Sequence, residues 1–358
     1  MFRVFQNSGI SGHYPKRLNE LSKGKNSFSE RLSVFFADRY NASHLLKPIM
    51  DLDRETFFTN GDDEVLQSMW AKQKGMRRAS AADILLAQIE EHRTEVFYNT
   101  HPAKFDSSFV RRLPGHVRKK IAWHAAPGRV DMTAYDLVVC NFPSIRRQQE
   151  ELGCHTAELF PAHDPVLDSY VNSSVRDIDV LFIGVFSRHH QKRTDFLSHI
   201  AQTQKLKNVA FHLSVSSFTK LAETPLGFFG NLKRHRRPKS IIAVTKPEAF
   251  GRQMYELLAR AKIVINMAVD MAREDRGNMR CFEAMGSGAM LLSDQGNYPE
   301  GMVDGETLRT YRSSDDANAI IAQCLNGTDW QSIAANGYQM ISTRYSKQAQ
   351  WQKFKNLL

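Results

Sequence analysis

The sequence predicts an α/β protein with two domains, each built on a parallel β-sheet, and three observations lead to this fold class. The chain has 358 residues, which is too long for one typical core and fits two domains of about 150–180 residues. Short apolar runs alternate with segments of helical spacing in both halves, as they do around parallel sheets. One stretch, Ala261–Asp294, contains a complete strand–helix–strand unit, whose crossover is expected to be right-handed.

The strand–helix–strand unit is the stretch with the clearest chemistry. Ile263–Asn266 and Ala289–Ser293 are apolar runs that predict buried strands. Between them Asn278 is expected to cap a helix over Met279–Met285, which ends at the glycines that follow. The loop before this helix leaves the carboxyl end of a strand, where open α/β sheets bind ligands.

Charged side chains surround the start of this helix. Arg273, Arg276 and Arg280 suit a diphosphate because guanidinium groups bind phosphate oxygens in pairs. The free N–H groups of a helix start suit an anion as well. Glu283 lies one turn into the helix and can accept hydrogen bonds from two sugar hydroxyls. The alternative is that all of these are solvated charges on an ordinary crossover.

Several apolar runs in the first half predict further parallel strands. They are Phe2–Gln6, Glu95–Tyr98, Lys119–Trp123, Leu137–Cys140 and Ala157–Phe160. The loops after the first four runs place one glycine and three polar residues along one edge of the sheet: Gly9, His101, His124 and Asn141. A structural role is the alternative for each, since lone histidines are mostly surface or satisfied groups. Lys16–Ser29 is polar and predicts an irregular loop.

The second half is expected to open its own sheet with the apolar run Asp179–Gly184. Three basic residues follow in the next loop and helix start: Arg188, Lys192 and Arg193. They can bind an anion or can be solvated charges at the start of a helix. Lys233–Lys239 is the densest basic run. It predicts either a solvated loop or a patch for anionic lipid or an anionic acceptor.

The net charge of +10 is unevenly distributed. Residues 171–358 hold 25 of the 48 Lys and Arg and 17 of the 38 Asp and Glu, a net charge of +8. A basic half suits an anionic ligand. Nucleic acid is not expected as a partner, because no nucleic-acid motif occurs and aromatic residues are not interleaved with the basic runs.

The apolar runs, the first residues and the cysteines indicate where in the cell the protein is expected. No apolar run reaches the roughly 18 residues that span a bilayer, and the first residues lack the apolar segment of a signal peptide. The four cysteines are scattered, with no C-x-x-C pair and no histidine at zinc spacing. We therefore expect reduced thiols, no metal site and a cytoplasmic protein, with peripheral contact to the inner face of an anionic membrane as a further expectation.

The second half also resembles a known family, the GT-B glycosyltransferases, in particular the type called glycosyl transferases group 1, which includes CgeB-like proteins. The resemblance covers most of this half and implies two facing Rossmann-like domains with a cleft between them. The matching residues are Asn278-Met279-Arg280, Phe282-Glu283-Ala284, Gly288, Leu291-Leu292 and Asp294, with Phe250-Gly251, Tyr255–Leu258, Lys262 and Asn266 before them and Gly305-Glu306 and Tyr311 after them.

The resemblance implies roles for individual residues. Glu283 would hold the ribose of a nucleotide sugar, and the second glutamate that many retaining members carry eight positions earlier corresponds here to Asp275. The implied catalytic residues are Glu283, Asp275 and His124. The implied donor-binding residues are Arg188, Lys192, Arg193, Asn266, Asn278, Met279, Arg280 and Glu283. The implied acceptor-side residues are Gly9, His101, His124 and Asn141.

The resemblance and the sequence pattern together predict the domain organisation. Residues 1–165 form an N-terminal acceptor-side domain, and residues 179–340 form the nucleotide-sugar donor-binding domain. Residues 166–178 are the hinge, because the segment around them has two prolines, many polar residues and no clear periodicity. Residues 341–358 form a final helix that returns to the N-terminal domain.

The implied activity is transfer of a sugar from a nucleotide-sugar donor to a hydroxyl acceptor in cell-surface or secreted glycan synthesis. The acceptor would be a glycan, a lipid-linked molecule or a protein. The reaction would need no metal or other cofactor and would retain the anomeric configuration. Two alternatives remain: a catalytically silent relative acting as a binding or scaffold subunit, and a nucleotide-sugar epimerase or hydrolase of the same fold.

Overall fold

A computed structural model describes residues 2–125, 129–171, 175–203, 208–228, 230–267 and 272–358. The chain forms two compact units. The first comprises Met1–Ala162, Asp270–Asp275 and Tyr345–Leu358, and the second comprises His163–Val269 and Arg276–Arg344. Among the described residues, no helix is both long and apolar enough to cross a membrane.

Each unit contains a six-stranded sheet in which all neighbouring strands are parallel. The strands of the first sheet are β1 Val4–Ser8, β2 Thr56–Asn60, β3 Val96–Asn99, β4 Lys119–Trp123, β5 Leu137–Val139 and β6 Thr156–Ala157, in the order β2-β1-β3-β4-β5-β6. Those of the second are β7 Ile178–Val185, β8 Val209–Ser214, β9 Thr245–Lys246, β10 Ala261–Ile265, β11 Met290–Asp294 and β12 Arg309–Tyr311, in the order β12-β11-β10-β7-β8-β9.

Helices connect the strands of both sheets. In chain order they are α1 Tyr14–Leu21, α2 Phe28–Asp38, α3 Lys47–Met50, α4 Glu64–Gln73, α5 Ala81–His92, α6 Ser107–Val110, α7 Pro143–Glu151, α8 Asp168–Val171, α9 Gln191–Thr203, α10 Ser217–Ala222, α11 Lys239–Val244, α12 Gly251–Arg260, α13 Met279–Gly286, α14 Ser314–Asn326, α15 Asp329–Arg344 and α16 Lys347–Lys355. Short 3-10 helices lie at Ala42–His44, Pro165–Leu167, Pro225–Phe228 and Gly230–His235. The predicted α/β fold with two parallel sheets is confirmed.

The central strands are buried on both faces, as expected for parallel sheets covered by helices. All five residues of β1 are buried. In the first unit Phe5 and Phe97 are fully buried members of the apolar core. In the second unit the same holds for Val180 of β7, Phe211 of β8 and Ile263 of β10. In both sheets the carboxyl ends of the strands therefore form a rigid edge, and the loops that follow the strands position their side chains there.

The structure corrects three sequence-based predictions in the first unit. Lys16–Ser29 is not an irregular loop, because it contains most of α1 and the start of α2. The helix forms around two fully buried side chains one turn apart, Tyr14 and Leu18. The sequence also missed β2. The last predicted strand of this sheet is shorter than expected, covering only Thr156–Ala157.

The final helix, α16, packs within the first unit. The ring of Phe354 meets that of Tyr98 edge-on, with centroids 5.1 Å apart. The side-chain oxygen of Gln350 accepts a hydrogen bond from the backbone N–H of Phe160 at 3.2 Å. The buried ammonium of Lys347 donates to the carbonyl of Leu45 at 2.7 Å. Of the predicted hinge 166–178, residues 172–174 lie outside the described residues, and its function as a hinge stays a prediction.

Candidate functional site

The carboxyl edge of the second sheet has a topological switch point between β7 and β10. From β7 the chain moves to β8 and β9 on one side, and from β10 it moves to β11 and β12 on the other. Loops diverge at such a point and leave a crevice where open α/β sheets bind ligands. Phe186 follows β7 here, Asn266 follows β10, and α13 points its amino end toward the same edge.

Asn266 forms hydrogen bonds with several of the elements around this switch point. Its amide nitrogen donates to the Ser293 hydroxyl at 3.0 Å, and its amide oxygen accepts from Asn278 at 3.0 Å. Its backbone carbonyl accepts from the phenol of Tyr311 at 3.0 Å. Asn266 is 4% exposed. The side chain of Asn266 therefore links β10 to β11 and to the start of α13, and its backbone carbonyl links β10 to β12.

Asn278 occupies the N-cap position of α13, but its side chain does not cap the helix. That part of the sequence-based expectation is wrong. The amide nitrogen is used by Asn266, and the amide oxygen accepts from the thiol of Cys281 at 3.1 Å. The backbone N–H groups of Met279 and Arg280 lie in the first turn of this eight-residue helix, where the dipole favours an anion.

Glu283 forms a buried ion pair on α13. Its carboxylate accepts from Arg280 at 2.7 Å, with side-chain exposures of 3% for Glu283 and 16% for Arg280. The same guanidinium contacts the sulfur of Met254 at 2.9 Å. Burial raises the pKa of Glu283, the charge of Asp164 adds to this, and Arg280 opposes it. The alternative of a solvated surface pair does not hold, since Glu283 is buried.

Two further arginines lie around Tyr311. Arg276 binds the Asp294 carboxylate at 2.8 Å and the carbonyl of Gln295 at 2.7 Å. Burial raises the pKa of Tyr311 well above its ordinary value, and the charges of Arg193 and Arg276 partly offset this. Arg193 lies on α9 one turn before Phe196, whose ring stacks on that of Tyr311 with centroids 4.6 Å apart, so Arg193 lies near the same tyrosine.

The other two basic candidates of this region lie elsewhere. The Nε of Arg188 donates to His189 at 3.3 Å. Desolvation lowers the pKa of His235, and the charge of Arg188 lowers it further. Lys192 is exposed. The structure thus separates three residues that the sequence could not rank, and brings only Arg193 near Tyr311.

Asp275, a candidate catalytic acid, lies in the first unit. Its carboxylate accepts a hydrogen bond from the backbone N–H of Ser144, and it is 5% exposed. The Ser144 hydroxyl donates to the carbonyl of Ala272 at 3.0 Å. Ala272 packs in an apolar cluster with Phe142 and Ile145.

The acceptor-side candidates occupy the carboxyl edge of the first sheet. His124 follows β4 and is 4% exposed, and its buried Nε2 has no hydrogen-bond partner within the described part of the chain. Burial lowers the pKa of His124. Asn141 follows β5 and is also 4% exposed. Gly9 and His101 lie against each other, and both lie next to a third residue that the sequence did not single out, Asp62, which follows the missed strand β2.

No set of three His, Cys, Asp or Glu side chains that could hold a metal ion occurs among the described residues. All four cysteines are free and buried.

Comparison with known proteins adds to the geometry. Residues 195–356 match the family model described as glycosyl transferase-like. The whole chain is similar in fold to Anabaena HepE in complex with UDP, with a TM-score of 0.58, 13% identity and coverage of 99% of this chain and 98% of that one. The chain has the GT-B fold of these structures, and its second half is similar to the glycosyl transferase-like family.

Other solved structures have the same fold as this chain. Anabaena HepE in complex with UDP-glucose has a TM-score of 0.58 and 14% identity, with coverage of 99% of this chain and 98% of that one. A glycosyltransferase from Rickettsia africae has a TM-score of 0.55 and 10% identity, with coverage of 99% and 97%. No curated protein matches the chain significantly.

Proposed function

We propose that the protein is a glycosyltransferase that moves a sugar from a nucleotide-sugar donor to a hydroxyl acceptor in the synthesis of a cell-surface or secreted glycan. The observation that supports it best is α13, whose amino end is tied to the switch point of the second sheet through Asn266. Glu283 and Arg280 lie on this helix. Arg193 lies on α9, one turn before Phe196, whose ring stacks on that of Tyr311. HepE, which shares the fold, has been solved with UDP-glucose.

In this proposal the second unit binds the donor. The N–H groups of Met279 and Arg280 and the guanidinium of Arg193 carry the charge of the diphosphate as it leaves. Preorganised donors of this kind stabilise developing charge without a metal ion, so we propose a metal-independent reaction. Glu283 accepts from the ribose hydroxyls once a nucleotide displaces part of its pairing with Arg280. The proposed retention of configuration follows from the likeness to the group 1 type.

A panel of UDP-, GDP-, ADP-, CMP- and dTDP-sugars tests the proposal. The correct nucleotide should stabilise the chain by about 2.7 kcal/mol at a hundredfold excess over its dissociation constant. Release of the nucleoside diphosphate should require an acceptor and persist in EDTA, and NMR of the product should show the anomeric configuration of the donor. The absence of binding by every nucleotide sugar contradicts the proposal.

A second candidate is a catalytically silent relative that acts as a binding or scaffold subunit. The burial of Asp275 against Ser144 favours it, because the carboxylate at the position of the first family acid is already bonded within the first unit. Nucleotide binding without turnover under any acceptor would support this candidate. Release of a rearranged or free sugar without acceptor would instead indicate an epimerase or hydrolase.

A surface of the second unit supports the proposed peripheral contact with an anionic membrane. Residues 215–246 contain seven Lys and Arg and one acid, Glu223. That acid is bound by Arg237 at 2.6 and 2.7 Å. Phe218 and Leu221 lie one helical turn apart on α10 and are 58% and 41% exposed. The Phe218 ring lies 5.6 Å from that of His235, within the basic run.

Exposed apolar groups rimmed by cations suit the interface of an anionic bilayer. We therefore propose that the enzyme works at the cytoplasmic face of a membrane and contacts it through this surface. Sedimentation with phosphatidylglycerol vesicles should exceed that with phosphatidylcholine vesicles. It should fall in the Phe218→Ser and Lys233→Glu variants and stay unchanged in Lys25→Glu, which alters an exposed lysine of the first unit. Equal sedimentation with both vesicles contradicts it.

A further inference from the structure

Arg176 bonds the carboxyl-terminal ends of two helices in the second unit. Its guanidinium donates to the carbonyl of Ala261 at 2.6 Å and to the carbonyl of Ser287 at 2.9 Å. Ala261 is the C-cap residue of α12, and Ser287 is the C-cap residue of α13. Because the last carbonyls of a helix lack partners within it, this single side chain supplies a donor to each of the two helix ends.

The helix ends, and not an acid, compensate the charge of Arg176. Within the part of the chain that the structure describes, its hydrogen bonds go to the two carbonyls and no carboxylate forms an ion pair with it. Burial lowers the pKa of Arg176 to about 10, and no neighbouring charge contributes to this shift. The carboxyl-terminal ends of α12 and α13 carry the negative ends of their dipoles, which favour a cation.

Gly288 leaves the space that the guanidinium occupies. This residue follows the C-cap of α13 and has a φ of +71°, in the left-handed region that favours glycine. A Cβ here would lie 2.7 Å from the Nη2 of Arg176 and 3.0 Å from a methyl carbon of Val171. The guanidinium therefore lies directly against the backbone of the turn from α13 to β11, where any side chain would displace it.

The segment that leads to Arg176 packs against the same end of α13. A Cβ at Gly286, the last residue of this helix, would lie 2.8 Å from the Nδ1 of His163 and 3.2 Å from a methyl carbon of Leu167. The Nε2 of His163 lies 2.7 Å from the Asp168 carboxylate, which holds the ring in this place. The segment thus supports the end of α13 from the side, while Arg176 bonds it along the helix axis.

The amino-terminal ends of the same two helices have no side-chain cap. Neither Phe250 at the N-cap of α12 nor Asn278 at the N-cap of α13 caps its helix with a side-chain hydrogen bond. The helices also contact each other, since the sulfur of Met254 on α12 accepts from the guanidinium of Arg280 on α13 at 2.9 Å. The position of this helix pair along its axis therefore depends on the bonds at the carboxyl-terminal ends.

Arg176 lies at the opposite end of the second sheet from the candidate donor site. It comes two residues before Ile178, which begins β7 and pairs with Ala261 at the start of β10. The five residues of β10 span roughly 16 Å to the carboxyl edge of the sheet. An arginine side chain does not reach that far, so any effect of Arg176 on a ligand at the carboxyl edge acts through the helices.

We propose that Arg176 is a positioning residue of the donor site. By holding the carboxyl-terminal ends of α12 and α13, it sets the position of Arg280 and Glu283 relative to the diphosphate and ribose of the nucleotide sugar. The inference rests on the proposed donor binding by the second unit and adds to it a residue that does not contact the ligand.

Amide hydrogen exchange in the full chain without nucleotide tests the effect on the helix. Arg176→Met should raise the exchange rates of the α13 amides about tenfold, the equivalent of one lost hydrogen bond. Arg176→Lys should raise them less, because its ammonium keeps the charge and a donor. Arg260→Met is the matched control and should leave α13 unchanged. Arg260 is also an arginine at the end of α12, but it is exposed and pairs with Asp177.

The affinity for the nucleotide sugar that the wild type binds separates positioning from a purely structural role. Arg176→Met should raise its Kd and its KM about tenfold, as small misplacements of a site do, while the acceptor KM stays unchanged. Arg176→Lys should recover part of the affinity, and Arg260→Met should match the wild type.

Two results overturn the inference: unchanged exchange of α13 in Arg176→Met, or faster exchange with an unchanged Kd. The second result would mean that Arg176 only stabilises the fold. If Arg176→Met does not fold, Arg176→Lys decides by the same two measurements. A wild type that binds no nucleotide sugar contradicts the proposed function instead, and the exchange of α13 still shows whether Arg176 holds the helix.

Discussion

The carboxylate of Asp275 accepts a hydrogen bond of 2.6 Å from the backbone N–H of Ser144, at the amino end of α7. A helix start is a favourable place for a negative charge, because its first N–H groups lack partners within the helix. The Ser144 hydroxyl holds the same segment through the Ala272 carbonyl. Asp275 therefore holds the 272–275 segment to the first unit, and the geometry favours this role over that of a sugar-binding acid.

The first prediction concerns this contact. Asp275→Asn keeps one oxygen that can accept from Ser144 and removes the charge at the helix start. We expect the free energy of unfolding to fall by about 1 kcal/mol, with transferase activity reduced less than tenfold. Denaturant unfolding and turnover measure the two effects. Asp51→Asn is the control, since Asp51 is an exposed acid that pairs with Lys47, one turn earlier in the chain. Unchanged stability with abolished activity would instead identify Asp275 as a catalytic acid.

The second prediction concerns Arg193. Its charge acts on Tyr311, beside the network that fixes α13. We expect Arg193→Gln to weaken nucleoside-diphosphate binding by about 1.5–3 kcal/mol, the range for a hydrogen bond to a charged group. Calorimetric titration with the diphosphate measures it. Lys192→Gln is the matched control, because this neighbour in the first turn of α9 is exposed. Equal affinities in both variants would remove Arg193 from the site.

Local signals were enough to predict much of the fold. The strand Lys119–Trp123 has the bounds that the sequence predicted, because a short apolar run between polar loops has few alternatives. The helix α5 begins after Ser80, whose side chain and that of Asp83 form a capping box. By contrast, α1 has only two buried side chains, Tyr14 and Leu18, in an otherwise polar segment. Helix α1 is stabilised by packing against other parts of the fold, and the spacing of apolar residues in the sequence gives no information about that packing.

The candidate site was less accessible to sequence analysis. Asp62 was missed because β2 was missed, and that strand presents a short apolar run between acidic flanks. The sequence could not show which of Arg188 and Arg193 is the better candidate for binding phosphate. Their surroundings depend on residues far away in the sequence, His235 for Arg188 and Tyr311 for Arg193. Asp275 matched a family position, but its hydrogen bond to a residue 131 positions away could not be read from local pattern.

The third prediction concerns pH and His44. Burial, together with the charge of Lys347, lowers the pKa of His44 to about 3, whereas an unfolded histidine titrates near about 6.5. Below pH of about 6.5 the unfolded chain binds a proton that the folded chain does not. Between pH of about 6.5 and about 3, His44 should therefore lower the free energy of unfolding by about 1.4 kcal/mol for each unit by which the pH falls. Above pH of about 6.5 it should have no effect.

Unfolding by denaturant at pH 7.5, 6 and 5 measures this slope. His44→Leu replaces the ring, which packs 4.6 Å from that of Trp123, with an apolar group that cannot titrate. In this variant the free energy of unfolding should fall less steeply between neutral and acid pH, by the contribution of one proton. A variant that keeps the full slope would show that His44 binds its proton as readily in the folded chain as in the unfolded one.

The last prediction concerns Glu283 and Arg280. Glu283→Gln keeps the shape of the side chain but removes its charge and replaces one acceptor oxygen with a donor. We expect a large loss of transferase activity and a fall of about 1–3 kcal/mol in nucleotide affinity, because a ribose then loses an acceptor. The burial of the pair adds a second effect. In Glu283→Gln the partly buried guanidinium of Arg280 loses its carboxylate partner and keeps only a neutral amide oxygen. The melting temperature should therefore fall as well.

A double-mutant cycle separates the two effects. Arg280→Met with Glu283→Gln removes both partners of the pair, which is often less costly for a buried pair than removing one. We expect the double variant to recover part of the stability lost in Glu283→Gln while nucleotide affinity stays low, since the ribose acceptor is still absent. If affinity recovers together with stability, the effect of Glu283 on the nucleotide is indirect, and the pair serves only to hold α13. If Glu283→Gln retains wild-type turnover, Glu283 has no role in donor binding and the proposed donor site loses its central residue.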